Sequence, residues 1–492
     1  MSTSSTALAT ASTVPPPPDA LVPFIHDGKI IRDDSQWPYA LGLLQEFIGN
    51  VEKVKTQEIL VKGIQDCIAA LDKQISDGLD EVLHAPEFQK LEASWRGLAY
   101  LVKNSETGEF LKLRLLNVSR NELKSDLEKA TEFDQSVLFK KVYEEEYGTF
   151  GGSPFGVLVG DYEFGRDGVS MALLDNLSHV AAAAHAPFVS AASPRLFDMD
   201  SFAELTGPRD LAKSFESTEL VKWRSFRDGE DSRYVALTLP HVLLRPPYDP
   251  VNYPVDGFGY TENVDGKDSS KYLWGNAAYA LAQRITNAFS LYKWCAAIRG
   301  VEGGGLVEGL PVFTFKADDG DTVLQCPTEV SITDRRENEL NKLGFIAILH
   351  KKGTDKAAFF GGQTTNKPIL YNTNAANANS RLSSMLPYIL AASRFAHYIK
   401  VIMRDKIGSF MTRDNVATYL NTWIADYVLL NDSAPQSVKA SYPLREARVD
   451  VVDIPGKPGC YKATVFLKPH FQLDELTVSI RLVAELPPPA AA

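Results

Sequence analysis

The last periodic pattern in the chain constrains its fold more than any other. In LTVSIRLVAEL, Leu476, Val478, Ile480, Leu482, Ala484 and Leu486 are apolar, Thr477, Ser479, Arg481 and Glu485 take the alternate positions, and Val483 breaks the rhythm. A period of two predicts a half-buried β-strand. The prolines that follow it cannot donate to a ladder, so this strand, placed at the end of the chain, is open to pairing with another molecule. Any fold assigned to the chain must find it a neighbour.

At 492 residues, and with roughly 150 residues to a domain, two to four domains are expected, or one large α/β body with additions. A hydrophobic content of 45% with 23% charged residues is that of a folded chain. The net charge of -11 argues against a nucleic-acid duplex and favours a basic partner surface. Cys67, Cys295, Cys326 and Cys460 form no CxxC pair and have no close histidine, which excludes a recognisable zinc site or dense disulfide framework and predicts buried thiols in a reducing cytoplasm. MSTSSTALATASTVPPPPDA lacks the basic start and apolar core of a secretory signal. No later run approaches the roughly 20 apolar residues of a membrane span, so the expected location is cytoplasmic, with no direct membrane insertion.

Residues 1–36 read as a mobile arm rich in Ser, Thr, Ala and Pro near its start. Within it the apolar cluster Leu21, Val22, Phe24 and Ile25 either docks on the chain's own body or serves as a peptide signal for another protein. From 37 to 150 the period becomes helical. Ile64, Ile68, Leu71, Ile75, Leu79 and Val82 mark one helix, Phe88, Leu91, Trp95, Leu98 and Val102 a second opening at Pro86, and the two are expected to form a hairpin with Trp95 in the core. A strand LKLRLLNV and helices around NELKSDLEKA and SVLFKKVYEEE follow. From 151 to 440, FGVLVG, PFVSAA, YVALTLP, VFTF and GFIAILH read as strands alternating with helices, among them a long one from about Tyr272 to Ile298, which suggests a mostly parallel or mixed sheet. From 441 to 492, REARVDVVDI, YKATVFL and the terminal segment are all strand-like.

The search for chemistry returns little. IRGVEGGGLVEGLP has no Lys-Ser/Thr after its glycines and leads through Pro311 into a strand, so it reads as a turn and not a phosphate cradle. Asp161 stands near the end of an apparent parallel strand, where a turn or cap role is favoured over a catalytic one. The eight histidines show no metal-ligand spacing, His179 and His185 meet only if a helix ends between them, and Ser190 and Ser193 lie in no nucleophile elbow. No catalytic, cofactor or metal residue is therefore assigned. Charge on short helices stands out instead. ITDRRENELNKLG has Asp334 as N-cap, Glu337 three residues on and Gly344 as a stop, with Arg335, Arg336, Glu337, Glu339 and Lys342 leaving Leu340 and Leu343 as anchors. Arg224, Arg227, Glu230, Asp231 and Arg233 repeat the theme ahead of YVALTLP.

The stretches WRGLAYLV, FGVLVGDYEF, PFVSAASP, FRDGEDSRYVALTLP, YLWGNAAYALAQRI, CPTEVSITDRRENEL, SRFAHYIKVIMRDKIGSF and PHFQLDELTVSIRLVAELP, in this order, resemble the large sheath subunit of the bacterial type VI secretion system, the TssC/VipB family. The matches run from about residue 90 to 486. The resemblance implies a non-enzymatic building block without cofactors, of mixed α/β (α+β) class, with a contractile tail-sheath-like core, a helical N-terminal region and C-terminal strands exchanged between subunits. It also implies a small sheath subunit (TssB-like) as partner, further copies in six-fold rings, an Hcp inner tube, a baseplate and a ClpV-type ATPase reading an N-terminal segment. On this basis the terminal strand is an intersubunit link and Leu21, Val22, Phe24 and Ile25 form the ATPase handle; the helix at 334–343, polar over nearly its whole circumference, is either a solvated face or faces a partner, the inner tube first among them. The alternative is a soluble α/β hydrolase or transferase using Asp161 and a nearby histidine.

Overall fold

The computed structural model describes residues 34–40, 42 and 57–472, apart from 208–209, 267, 317–319, 410–411, 456–460 and 471. The apolar cluster at 21–25, Cys460 and the terminal strand from Leu476 to Leu486 lie outside the described residues. Two compact units are distinguished.

The smaller unit holds α1 (Gln57–Leu83) up to Val82 together with a loop at 248–262. The loop is closed on itself by Tyr248 and Glu262, whose main chains exchange a hydrogen bond of 2.9 Å while the Glu262 carboxylate accepts the Tyr248 N–H at 2.8 Å. Tyr260 Oη donates to Asp80 Oδ1 of α1 at 2.6 Å.

The larger unit is built on a six-stranded mixed sheet. Its strands are β1 (Leu158–Phe164), β2 (Phe188–Ala192), β3 (Val235–Leu239), β4 (Leu306–Val307), β5 (Phe345–His350) and β6 (Ala357–Phe359), in the spatial order β1-β2-β3-β5-β6-β4. The first four in that order are parallel, which requires crossovers over the faces and explains why β2 and β3 are buried along their whole length and apolar apart from the hydrogen-bonded Ser190 and Thr238. Helix α2 (Pro86–Lys103) and the crossover α4 (Gly168–Ala184) flank α3 (Arg120–Lys129) in sequence. One face of the sheet, with α4 and α5 (Val221–Asp228), buries an aromatic cluster in which Trp223 stacks on Phe345 at 5.3 Å. The other face is covered by α6 (Ala278–Tyr292) and the start of α8 (Leu386–Asp405). A third core joins α8, α9 (Arg413–Ala425) and an antiparallel ribbon of β7 (Leu444–Asp453) and β8 (Tyr461–Pro469) around Trp294, Phe395 and Leu420.

Several sequence expectations are corrected here. The long helix is confined to Ala278–Tyr292, because Trp274 and Gly275 pair as a short strand with Val242 and Leu243. LKLRLLNV forms no strand, since none of the described residues pairs with it as a second strand. Cys67 is exposed and no buried thiol. Trp95 is 62% exposed, and Leu91 and Val102 on the same stripe are 57% and 48% exposed, so these side chains are not in the core of the larger unit, whereas Leu98 packs beside Leu101 and Tyr279. Periodicity identified the apolar face correctly; it does not say which molecule covers it.

Candidate assembly surfaces

Helix α2 presents two faces with opposite roles. Its inner side is fastened by Gly97, Leu101 and Glu92. Gly97 lies so close to the ring of Tyr279 on α6 that a Cβ would stand 2.4 Å from Tyr279 Cδ2, and Leu101 packs with Tyr279 and Ala282. Glu92 accepts the Nε of Arg245 at 2.9 Å and that of Arg96 at 2.6 Å, with the Arg245 side chain only 3% exposed. The ion pair with a largely buried Arg245 ties α2 to the chain around Pro246. Its outer side carries Phe88, Leu91, Trp95 and Val102, all exposed. Helix α1 of the smaller unit likewise exposes Ile68, Leu71, Ile75, Leu79 and Val82 at three- and four-residue steps. Rows of this kind have the spacing by which helices pack on one another.

The charged helix is α7 (Asp334–Lys342). Its N-cap is Thr333, which accepts from Arg336 N, so Asp334 is the first helical residue and not the cap; the β-branched hydroxyl one residue earlier has the extended backbone a cap needs. Leu340 and Leu343 anchor it as expected, and Gly344 ends it with φ +90°. The polar side is not uniformly solvated. Arg336 donates to Gly207 O at 2.8 Å and to Glu339 at 2.7 Å, and Glu337 turns to the N–H of Gly361 near Arg299, where burial raises its pKa. Asp334, Arg335 and Lys342 face solvent, Arg335 with 91% of its side chain exposed.

Of the other charged group, Arg227 is buried and donates to Thr365 O and Lys342 O, while Asp231 pairs with His179 at 2.7 Å. Arg224 donates to Phe215 O and Ser217 O, and Arg233 to Glu230 O. These residues brace the subunit internally.

Where a doubly wound enzyme would hold its active site, at the C-terminal ends of β1 and β3, the residues present are Glu163, His241 and Glu329. Asp161 lies mid-strand, since β1 continues to Phe164. His241 Nδ1 meets Glu329 at 2.5 Å and its Nε2 meets Glu163 at 2.9 Å. Burial opposes the imidazole's charge, but the two carboxylates outweigh it and raise its pKa to about 10. An imidazolium with both nitrogens occupied cannot take a proton, and Ser201 donates to Glu329 at 2.5 Å in place of any base. The arrangement is a structural clamp. His179 and His185 do not meet, because α4 runs on to Ala184 and each finds its own partner, Asp231 and Tyr234. Ser190 is buried and donates to Gly160 O and Tyr162 O. The glycine cluster is a turn, with Gly305 N bonded to Gly300 O at 2.8 Å. Among the described residues no group of His, Cys, Asp and Glu is arranged to hold a metal, and no helix is long and apolar enough to cross a membrane.

The ribbon β7–β8 completes the set of surfaces. Nine Cα pairs join the strands from Leu444↔Pro469 to Asp453↔Tyr461, and among the described residues the two strands make up this sheet. The outer side of β7 is partly occupied within the subunit: Asn421 bonds both main-chain groups of Val449, at 2.8 and 2.9 Å, and Leu444 bridges to Val428; no further strand pairs with the ribbon among the described residues.

Comparison with known proteins decides what such a set of surfaces belongs to. Residues 65–366 match the family model described as EvpB/VC_A0108, tail sheath N-terminal domain, and residues 375–486 match that of the tail sheath gpW/gp25-like domain. The chain belongs to the TssC/VipB sheath family. It is 51% identical over 433 residues to the type VI secretion system sheath protein TssC1 of Pseudomonas aeruginosa, covering 87% of this chain and 86% of that one. It is a structural subunit of a type VI secretion contractile sheath and not an enzyme. Among solved structures it is similar to a chain of the anti-feeding prophage baseplate (TM-score 0.36, 11% identity, 65% and 66% covered) and to one of the contracted PVC sheath complex (TM-score 0.34, 10% identity, 63% and 68% covered).

Proposed function

We propose that this TssC-family subunit acts in the cytoplasm as one half of a heterodimer with a TssB-like small sheath subunit, and that the heterodimers stack in six-fold rings around an Hcp inner tube on a baseplate. The observation that carries this reading is the open apolar face of α2, where Phe88, Leu91, Trp95 and Val102 are exposed on a helix otherwise locked to the body. A helix fixed by a buried ion pair and a glycine contact has no reason to hold a large tryptophan in water unless another chain covers it. The seam of α1 supports the same conclusion.

Three further assignments follow the family. The edges of β7–β8 take the strand of a neighbouring copy, Leu476 to Leu486, through main-chain hydrogen bonds. Helix α7 faces the inner tube through Asp334, Arg335 and Lys342. The arm containing Leu21, Val22, Phe24 and Ile25 is the handle of a ClpV-type ATPase that recycles the sheath. The chain then divides by role into an arm (1–36), a helical region entering the body (37–150), the sheath body (151–440) and the linking strands (441–492).

Co-expression with the small subunit tests the reading. Trp95→Asp is expected to leave the large subunit folded but to abolish its co-purification with the small one. Undiminished co-purification would contradict the assignment of this face.

A further inference from the structure

Residues 111–119 contain no helix, turn or bend, and the sequence LKLRLLNV has strand composition. Yet no strand pairs with it among the described residues. It is held at its ends and by one arginine between them. At its start Gly108 N bonds Leu111 O at 2.9 Å, and at its end Val118 O accepts from Tyr162 Oη on β1, an outer strand of the main sheet, at 2.7 Å. Between them Arg114 pairs with Glu146 and lies 5.5 Å from the centroid of Phe155, while Glu146 also accepts Ser153 N at 2.9 Å. From Lys112 to Asn117 the main chain makes no backbone–backbone hydrogen bond among the described residues. Phe110, Leu113, Leu115 and Leu116 are exposed, at 76%, 36%, 69% and 49%.

A segment of strand composition, free of turns, with no main-chain bonds from 112 to 117 and with exposed leucines has the features of a sheet edge without its next strand. Because side chains already fix it, little ordering entropy is lost when a strand arrives. We infer that Leu111–Val118 is an acceptor edge for an extended segment of the small sheath subunit, one that alternates apolar residues with carboxylates placed opposite Lys112 and Arg114. This rests on the heterodimer reading above. Charge selects the occupant. Two copies paired antiparallel through this segment would set Lys112 and Arg114 against each other with no acidic residue between Phe110 and Val118, and like charges directly opposed are unfavourable. The terminal strand of this chain offers a single carboxylate, Glu485, and carries Arg481.

Hydrogen–deuterium exchange on the purified complex of the full chain with the small subunit reads the edge directly. Amides 112–117 are expected to exchange at least about tenfold more slowly in the complex than in the large subunit alone. Leu115→Cys is expected to form disulfides with cysteines introduced into the small subunit. Lys112→Glu should weaken the complex about tenfold while Lys112→Arg preserves it. Disulfides to a second large subunit, or equal protection in the free chain, would overturn the assigned occupant. Normal tubules whose amides 112–117 exchange freely would overturn this inference alone, whereas failure to form any complex would overturn the heterodimer reading with it.

Discussion

Gly97 on α2 and Tyr279 on α6 are packed so closely that the missing Cβ of the glycine is what permits the contact: a methyl there would overlap Cδ2 and Cε2 of the ring at 2.4 and 2.5 Å. Since Tyr279 is itself buried against Leu101 and Ala282, it has no easy retreat. Gly97→Ala is expected to destabilise the subunit by about 1–3 kcal/mol through overpacking, despite the better helix propensity of alanine. Denaturant unfolding measures this, and an alanine variant as stable as the parent would show that α2 is not held this way.

Helix α7 separates residues that sequence alone treats as equivalent. Arg335→Glu, at a solvent-exposed site, is expected to change stability by no more than about 0.5 kcal/mol while weakening association with the inner tube. Arg336→Ala breaks bonds to Gly207 O and Glu339 and is expected to cost about 1–2 kcal/mol. Unfolding and tube co-sedimentation of both variants distinguish the roles. Equal behaviour of the two would refute the division.

The clamp at His241 sets an alkaline limit. Its folded pKa, about 10, lies above the ordinary 6.5, so its contribution is fully present below about pH 6.5 and is lost as pH rises toward 10. Glu163 and Glu329 are held low because their bonds to His241 outweigh burial, so their contribution is lost at the acid end. Denaturant midpoints compared at pH 6.5 and 9.5 are expected to fall further in the parent than in His241→Gln. Parallel profiles would remove the clamp from the account.

His397 behaves in the opposite sense. Burial first, then Arg394, His185 and Lys400, lower its pKa to about 4, and burial with Lys400 also lowers that of His185. His397 Nε2 meets Ala184 O at 3.0 Å and the ring packs on Tyr147, whose face also carries the Lys400 ammonium at 3.6 Å. Both imidazoles are neutral when folded, so stability is expected to decline as pH falls from about 6.5 toward 4, where the unfolded chain binds protons and the folded one does not. The decline should flatten in His397→Gln. An unchanged acid limb in that variant would place the acid sensitivity elsewhere.

Most of the sheet was legible in the sequence, because buried parallel strands such as PFVSAA and GFIAILH are short, continuous apolar runs between turn signals. What was not legible depends on who covers whom. Trp95 and LKLRLLNV carry the same local signals whether their partner is in the same chain or another, and only the exposed stripe and the vacant main chain reveal the difference. The Glu163–His241–Glu329 clamp was also missed. Its members are 78 and 88 residues from His241 and come together only through the crossovers of the sheet. Asp161 drew attention in place of Glu163 because β1 runs on past Asp161 to Phe164.

If a strand exchanged at its C-terminus links this subunit and its small partner into a lattice, as proposed, the apolar face of that strand decides whether tubules form. Co-expression of the full chain and its Ile480→Asp variant with the small sheath subunit, followed by negative-stain electron microscopy, shows this. Large apolar side chains on one strand face contribute roughly 1.5–3 kcal/mol each when buried, so one buried carboxylate there should be decisive. Long tubules are expected from the parent, and from the variant a soluble, folded heterodimer that forms none. Full-length sheaths from the Ile480→Asp chain, or a parent that stays a monodisperse monomer beside the small subunit, would contradict the proposed exchange.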